Sequence, residues 1–356
     1  MKVHVASRLY PSFEVVVIPR EGVESNVSLR EQGLLSLHVI PREGVETISS
    51  KDTDVVDELT GTAQLTTSSI ASTLRTYFVL TKPNVWWLLV FTGIGGYFAG
   101  SQGSLDPMTL AVTALSLVAG CAGAEAVSNY IERDIDAIMA RTRRRPIPSG
   151  KISPPERALY LGLALTSVGI ATSALINFYA LIFMVFGVLD YVVVYVMLTK
   201  RRTPLNVILG SFAGGAPALI GYTAATGFPD LYGWLLAALI VLWIPSHVWS
   251  LAMKYKEDYR RAGIPMMPVV LDERKAIRCI VSTVVLLVAF SLALPPFSHT
   301  LGPLYMASAS LMGGLLLLLS LKTALDPSFE NFWRLFKFSS PYLAVLFAVI
   351  IVESFV

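Results

Sequence analysis

The sequence predicts an all-α polytopic membrane protein, a bundle of about nine transmembrane helices around an intramembrane cavity. Three observations lead there. The chain is 54% hydrophobic and 15% charged, where a soluble chain carries about 25% charged residues; its mean hydropathy is +0.62. Its apolar residues fall into runs near the roughly 20 residues that a helix needs to cross a bilayer. These runs show no alternation of period two, so helices rather than a closed barrel satisfy their backbone groups in lipid.

The runs occupy 85–101, 109–130, 157–176, 178–198, 205–226, 232–253, 277–295, 303–321 and 339–355. Their connections alternate in charge. Lys and Arg crowd the connections 131–157, 199–204, 254–276 and 322–338, whereas 102–108, the turn around Asn177, 227–231 and 296–302 hold none. Basic connections stay on the cytoplasmic side, so this side is expected to face the cytoplasm, with the site's mouth on it. The formal net charge is only +3, which gives no reason to expect nucleic acid. Cys121 and Cys279, both in or beside apolar runs, are too few for a disulfide or metal framework.

Residues 1–74 differ from the rest, being polar, mixed in charge and without a long apolar run. The octapeptide VIPREGVE stands at 17–24 and again at 39–46, too few copies for a solenoid. No secretory signal is visible, and Glu14, Glu21, Glu24, Glu31, Glu43 and Glu46 argue against a mitochondrial presequence, so a prokaryotic plasma membrane is expected. The segment reads either as a disordered tail or as a gene-start artefact resembling translated repeat-and-spacer DNA. The chemistry is expected in 75–356.

Three stretches carry that chemistry. The first, SNYIERDIDAIMARTRRRP from Ser128 to Pro146, begins inside an apolar run and enters the largest basic connection. On a helix Asn129, Glu132 and Asp136 share a face, while Asp134 points elsewhere. Ionisable groups at membrane depth line cavities or sites, and an amide with carboxylates suits Mg2+ bridging to substrate phosphates. The arginines that follow serve orientation equally well, but can also meet a diphosphate. The second stretch, LTKRRTPLN from Leu198 to Asn206, is a cationic turn of Lys200, Arg201 and Arg202, followed by GSFAGGAP from Gly210 to Pro217. Those small residues suit close helix packing. The third, WIPSHVWSLAMKYKEDYRRAGIPMMPVV from Trp243 to Val270, places His247 in an apolar helix, with Lys254, Glu257 and Asp258 where the helix meets the cytoplasm. A lone imidazole there is either hydrogen-bonded structure or a ligand contact.

These stretches resemble the UbiA superfamily of intramembrane prenyltransferases. The first is similar to its aspartate-rich motif N-x-x-x-D-x-x-x-D, with Ser128 in the leading Asn place, Asn129 one residue late, and Glu132 and Asp136 in the acidic places. RDIDAIMARTRRRP and the His247 stretch resemble the haem-farnesylating branch, since the second aspartate-rich motif of the wider superfamily is missing. The resemblance covers roughly 76–356. It implies that farnesyl diphosphate and haem B are the substrates, that Mg2+ is the metal, and that haem O is made in the lipid bilayer, with haem A synthase or terminal oxidase assembly as partners. It implies Asn129, Glu132 and Asp136 for the metal; Arg141, Lys200, Arg201 and Lys254 for the diphosphate; His247 for haem; and Asn206 and Asp258 in support. Tyr130, Tyr191, Tyr195, Tyr222 and Trp249 are available to line a prenyl channel and shelter a cation. Two other readings remain: a UbiA-type enzyme for a quinone precursor or lipid acceptor, and a haem carrier without catalysis.

Overall fold

Prolines and short polar residues set where the helices begin, and glycines set how closely they cross. The computed structural model describes the backbone of 13–19 and 35–41 and residues 68–298 and 300–356. The chain divides at Thr73 and Leu74 into two units. In the first, β1 (Phe13–Pro19) pairs antiparallel with β2 (Leu35–Pro41), Val16 opposite His38. Each strand ends on the Val-Ile-Pro of one octapeptide copy, where proline removes the ladder donor. The remainder of the segment read as a tail or gene-start artefact lies outside the described residues.

The second unit is helical. After α1 (Ser68–Leu80) come α2 (Pro83–Ser101), α3 (Pro107–Ile131), the short α4 (Arg133–Ile138), α5 (Glu156–Ile176) and α6 (Phe178–Leu189). The last continues as a π-helix over Asp190–Thr199. Then follow α7 (Asn206–Thr226), α8 (Leu231–Lys254), the short α9 (Lys256–Arg261) and α10 (Met267–Val270), α11 (Glu273–Leu292), α12 (Pro303–Leu325) and α13 (Phe329–Glu353). Among the described residues, eight helices are long and apolar enough to cross a membrane. The ninth expected span, α2, is 19 residues long but contains Pro83, Asn84 and four glycines, which lower its hydropathy. It packs between α3 and α7 within the bundle.

Boundaries depart from the apolar runs in two places. The last helix starts at Phe329 rather than 339, so Arg334 and Lys337, expected in a loop, ride on its first turns. Ser328 caps it, its side chain accepting from the Asn331 N–H, and that cap overrides the weak apolar signal of the stretch behind it. The basic connections also contain helices α4, α9 and α10, all too short to show a periodic pattern.

On the side without basic loops three helix starts are capped by Asp106, Asn177 and Asp230, which accept from the N–H groups of Met108, Ala180 and Gly233. Helices α3, α7 and α8 are the most enclosed, while α5, α6 and α12 present apolar faces such as Leu175, Phe186, Leu311 and Leu318 outward. Two crossings bring backbones into contact. A Cβ on Gly221 of α7 would lie 1.7 Å from the Gly93 carbonyl oxygen of α2, and one on Gly169 of α5 would lie 2.6 Å from the Gly120 nitrogen of α3. Small residues permit such approaches in lipid, where packing replaces the hydrophobic effect as the glue.

Candidate active site

Helix α3 does not run straight through the acidic motif. It ends at Ile131; Glu132 caps it, and the chain restarts as α4. Three groups nevertheless stay inward: Asn129, Glu132 and Asp136 are 3%, 4% and 4% exposed. Asp134 faces out, forked to Arg201 at 2.7 and 2.8 Å.

Each inward carboxylate meets a base. Lys200, at the end of the π-helix, forms an ion pair with Glu132. Arg145 reaches back from the loop after α4 and sets one nitrogen 2.9 and 2.7 Å from the two oxygens of Asp136. Arg143 and Arg144, indistinguishable from Arg145 in the sequence, face outward. Burial pushes the Glu132 carboxyl up, but the Lys200 and Lys82 ammonium groups outweigh it and hold the group below its ordinary value. Asn206, fully buried at the start of α7, donates to the carbonyls of Thr203 (2.8 Å) and Lys200 (3.4 Å) and so fixes the cationic turn.

A third acid–base pair escaped the sequence reading. Glu125, two turns before Glu132 on α3, lies 2.8 Å from the Lys82 Nζ, which also donates to Ser128 Oγ at 2.9 Å. Lys82 has a φ of 53° immediately before Pro83, a backbone region that costs a residue with a side chain about 1 kcal/mol or more. Its burial lowers the ammonium pKa despite Glu125 beside it. The signal was present: a lone acid within an otherwise apolar helix, seven residues from Glu132. Ser128, in the leading place of the motif, is thus tied to Lys82 and Glu125. Asn129 donates its amide N–H to the Leu80 carbonyl at 2.5 Å, and its Oδ1 stays buried without a partner. Because a carbonyl only accepts, the amide cannot be turned the other way.

Other expected site residues form a second group. Asp258 accepts from the Arg141 N–H (3.1 Å) and pairs with Arg261 (2.7 Å), and the Arg141 guanidinium lies 5.3 Å from the Tyr255 ring centre. Lys254 sits 3.3 Å above the Trp333 ring. Higher on α8, His247 lies between Trp243 and Phe336, each ring centre 4.4 Å away. Its Nδ1 is 2.7 Å from Ser339 Oγ on α13. Tyr191 and Tyr195 stack on one another (5.9 Å) beside the carboxylates, whereas Tyr222 donates to Asp230 at the far end of its helix.

The model of the UbiA prenyltransferase family matches residues 88–341. The chain belongs to the UbiA prenyltransferase family. Curated members similar to it include a protoheme IX farnesyltransferase of Desulforudis audaxviator, 46% identical over 79% of this chain and 89% of the relative. One of Thermoplasma volcanium is 43% identical over 80% and 99% of the two chains. Among solved structures, a digeranylgeranylglyceryl phosphate synthase in membranes superposes with a TM-score of 0.66 at 22% identity, over 80% of this chain and 99% of that one. A UbiA homologue of Archaeoglobus fulgidus bound to GPP and Mg2+ gives 0.56 at 15% identity, over 78% and 99%. These two share the fold with this chain.

As a UbiA family member the chain is a membrane-embedded prenyltransferase, and its donor set can be tested against a divalent metal. Among the described residues no three His, Cys, Asp or Glu side chains already stand as a cage. Mg2+ does not need one, since it keeps waters and substrate oxygens and takes one or two carboxylates. Glu132, Asp136 and the unpartnered Asn129 Oδ1 are all hard oxygen donors and fit that demand.

Proposed function

We propose that this prenyltransferase transfers the farnesyl group of farnesyl diphosphate to a vinyl group of haem B, giving haem O. The observation that carries the reading is the buried set of three carboxylates matched by Lys82, Arg145 and Lys200, joined with relatives that are protoheme IX farnesyltransferases over most of their length. The catalytic residues on this reading all lie within 75–356, with the basic side cytoplasmic.

Glu132, Asp136 and Asn129 would hold Mg2+, which supplies charge neutralisation at the diphosphate oxygens. Lys200 and Arg145 turn from their carboxylates toward the diphosphate, and Lys82 does the same from Glu125. These cations stabilise the negative charge that grows on the leaving group, a term worth most where water is excluded. Asn206 keeps Lys200 in place through its own turn, and Arg141 and Arg201, with Asp258 anchoring the former, flank the mouth. As the allylic C–O bond breaks, its electron pair leaves with the diphosphate. The vinyl π electrons of haem B form the new C–C bond, and water adds to the resulting cation with loss of a proton. Tyr191 and Tyr195 offer ring faces to the allylic cation, and the lipid-facing shell keeps water from quenching it early. His247 contacts the haem. Lys254, held over Trp333, belongs with that acceptor end rather than with the diphosphate.

The test supplies haem B, farnesyl diphosphate and Mg2+ to the protein in membranes and analyses extracted haem by chromatography and mass spectrometry. A haem heavier by a hydroxyfarnesyl unit, and absent without Mg2+, is expected. Unchanged haem with prenyl transfer to a quinone precursor or lipid would overturn the acceptor. Bound haem with no transfer to anything would make the protein a carrier.

A further inference from the structure

One buried hydroxyl beside His247 does more than close a helix contact. Ser339 lies on α13, 2% exposed, and touches α8 at two points one turn apart. Its carbonyl accepts from Trp243 Nε1 at 2.7 Å, and its Oγ lies 2.7 Å from His247 Nδ1. A serine hydroxyl has one proton. Here that proton goes to the Phe336 carbonyl, one turn back on α13, at 2.7 Å. In that arrangement the oxygen has only lone pairs to offer the imidazole and Nδ1 carries the ring proton, whereas the opposite tautomer would draw the serine proton to Nδ1 and away from the Phe336 carbonyl. In a neutral imidazole Nε2 is then left with a free lone pair. The ring cannot easily rotate out of this arrangement, because Trp243 and Phe336 lie against its two faces with interplanar angles of 24° and 32°.

We propose that Ser339 is a positioning residue of the acceptor site: it locks His247 as the Nδ1–H tautomer and so presents Nε2 as a ligand to the haem iron. The inference rests on the reading that haem is the acceptor. An imidazole bound to iron through Nε2 commonly gives its other N–H to a fixed acceptor, which sets ring orientation and raises ligand basicity. Packing of α8 on α13 accounts for the Trp243 contact and the stacked rings, but it is indifferent to which imidazole nitrogen carries the proton. The ligand chemistry is not.

The experiment titrates ferric haem B into the full-length protein in lipid nanodiscs and follows absorbance and electron paramagnetic resonance. Wild type is expected to show an imidazole-ligated spectrum that His247→Ala abolishes. Ser339→Ala should weaken haem affinity about tenfold, the lower end of what loss of such a partner does, and shift the spectrum toward unligated haem. Ser339→Thr, which keeps the hydroxyl, should restore both. Binding of farnesyl diphosphate with Mg2+ should not change. If Ser339→Ala does not fold, Ser339→Cys, of similar size and a weak acceptor, should show the same shift. An unchanged imidazole spectrum in the Ala or Cys variant overturns the proposal. Farnesylation of haem by a wild type without an imidazole signature also overturns it and leaves the function standing, whereas neither haem binding nor transfer removes both.

Discussion

The carboxylate cluster on α3 and α4 and the aromatic column between α8 and α13 solve opposite problems. In the cluster, Glu125, Glu132 and Asp136 are each matched by a base drawn from a different segment: Lys82 before α2, Lys200 after the π-helix, and Arg145 from the loop after α4. In the column, His247 meets two aromatic faces and a hydroxyl, with no carboxylate among its contacts. Uncompensated buried charge costs several kcal/mol per ion, so the first region is stable only while paired, and it can exchange partners with an incoming anion and metal. The second holds no charge to exchange and offers flat apolar surface with one lone pair. On the proposed function, the difference divides the reaction between a region that draws off a diphosphate and one that presents the π system of the acceptor.

The division breaks most visibly at Asp136. Asp136→Asn should lower turnover by at least about 10²-fold, the scale set by loss of one preorganised charge-stabilising group, while haem binding stays as in wild type; equal loss of both would erase the distinction. Lys200→Met comes next. It should raise the KM for farnesyl diphosphate and lower the thermal midpoint, because Glu132 is left unpaired; breaking such a pair costs about 3–5 kcal/mol when fully buried. The double variant Glu132→Gln with Lys200→Met should regain most of the stability and none of the activity. A double variant no more stable than Lys200→Met would mean that the pair is not what holds the turn.

A smaller effect concerns acid. The Glu132 and Asp134 carboxyls are held below their ordinary values of 4.5 and 3.8, Glu132 against burial by Lys200 and Lys82, and Asp134 by the hydrogen bonds of Arg201. Depressed carboxyls contribute stability at neutral pH that fades as pH falls through their folded values. Thermal midpoints should be level from pH 7 to about 5 and fall below that, less steeply in Glu132→Gln. A decline beginning above pH 6 would implicate a different group. The smallest effect is expected at Lys254, whose contact with the Trp333 ring is worth about 1 kcal/mol. Lys254→Ala should raise the KM for haem several-fold and leave that for farnesyl diphosphate unchanged. The reverse outcome would return Lys254 to the charged region.

Much of this was legible in the sequence because lipid enforces simple rules. The apolar runs located the spans, and the acids at the end of the second run marked the site. The partners of those acids were not legible. Glu125 stood out as a lone acid in an apolar helix, but its pairing with Lys82 did not, because the two lie far apart in the chain and meet only where the start of α2 stands beside α3. Arg145 differs from its two neighbours only by the direction in which the loop after α4 turns it. Asn129, Glu132 and Asp136 were expected on one unbroken helix; the helix breaks at Glu132, before Asp136, and all three still face inward. Ser339 offered no signal at all, since a serine in an apolar helix is ordinary until its proton is traced.

The crossing of α2 and α7 has a mechanical meaning. At Gly93 and Gly221 the two backbones touch without side chains between them, and a single added methyl would lie 1.7 Å from a carbonyl oxygen. Side chains act as bearings: they shift rotamer and let helices slide. Here there are none, so this seam is welded. Parting α2 from α7 would separate backbone from backbone, whereas seams lined by side chains can adjust by changes of rotamer.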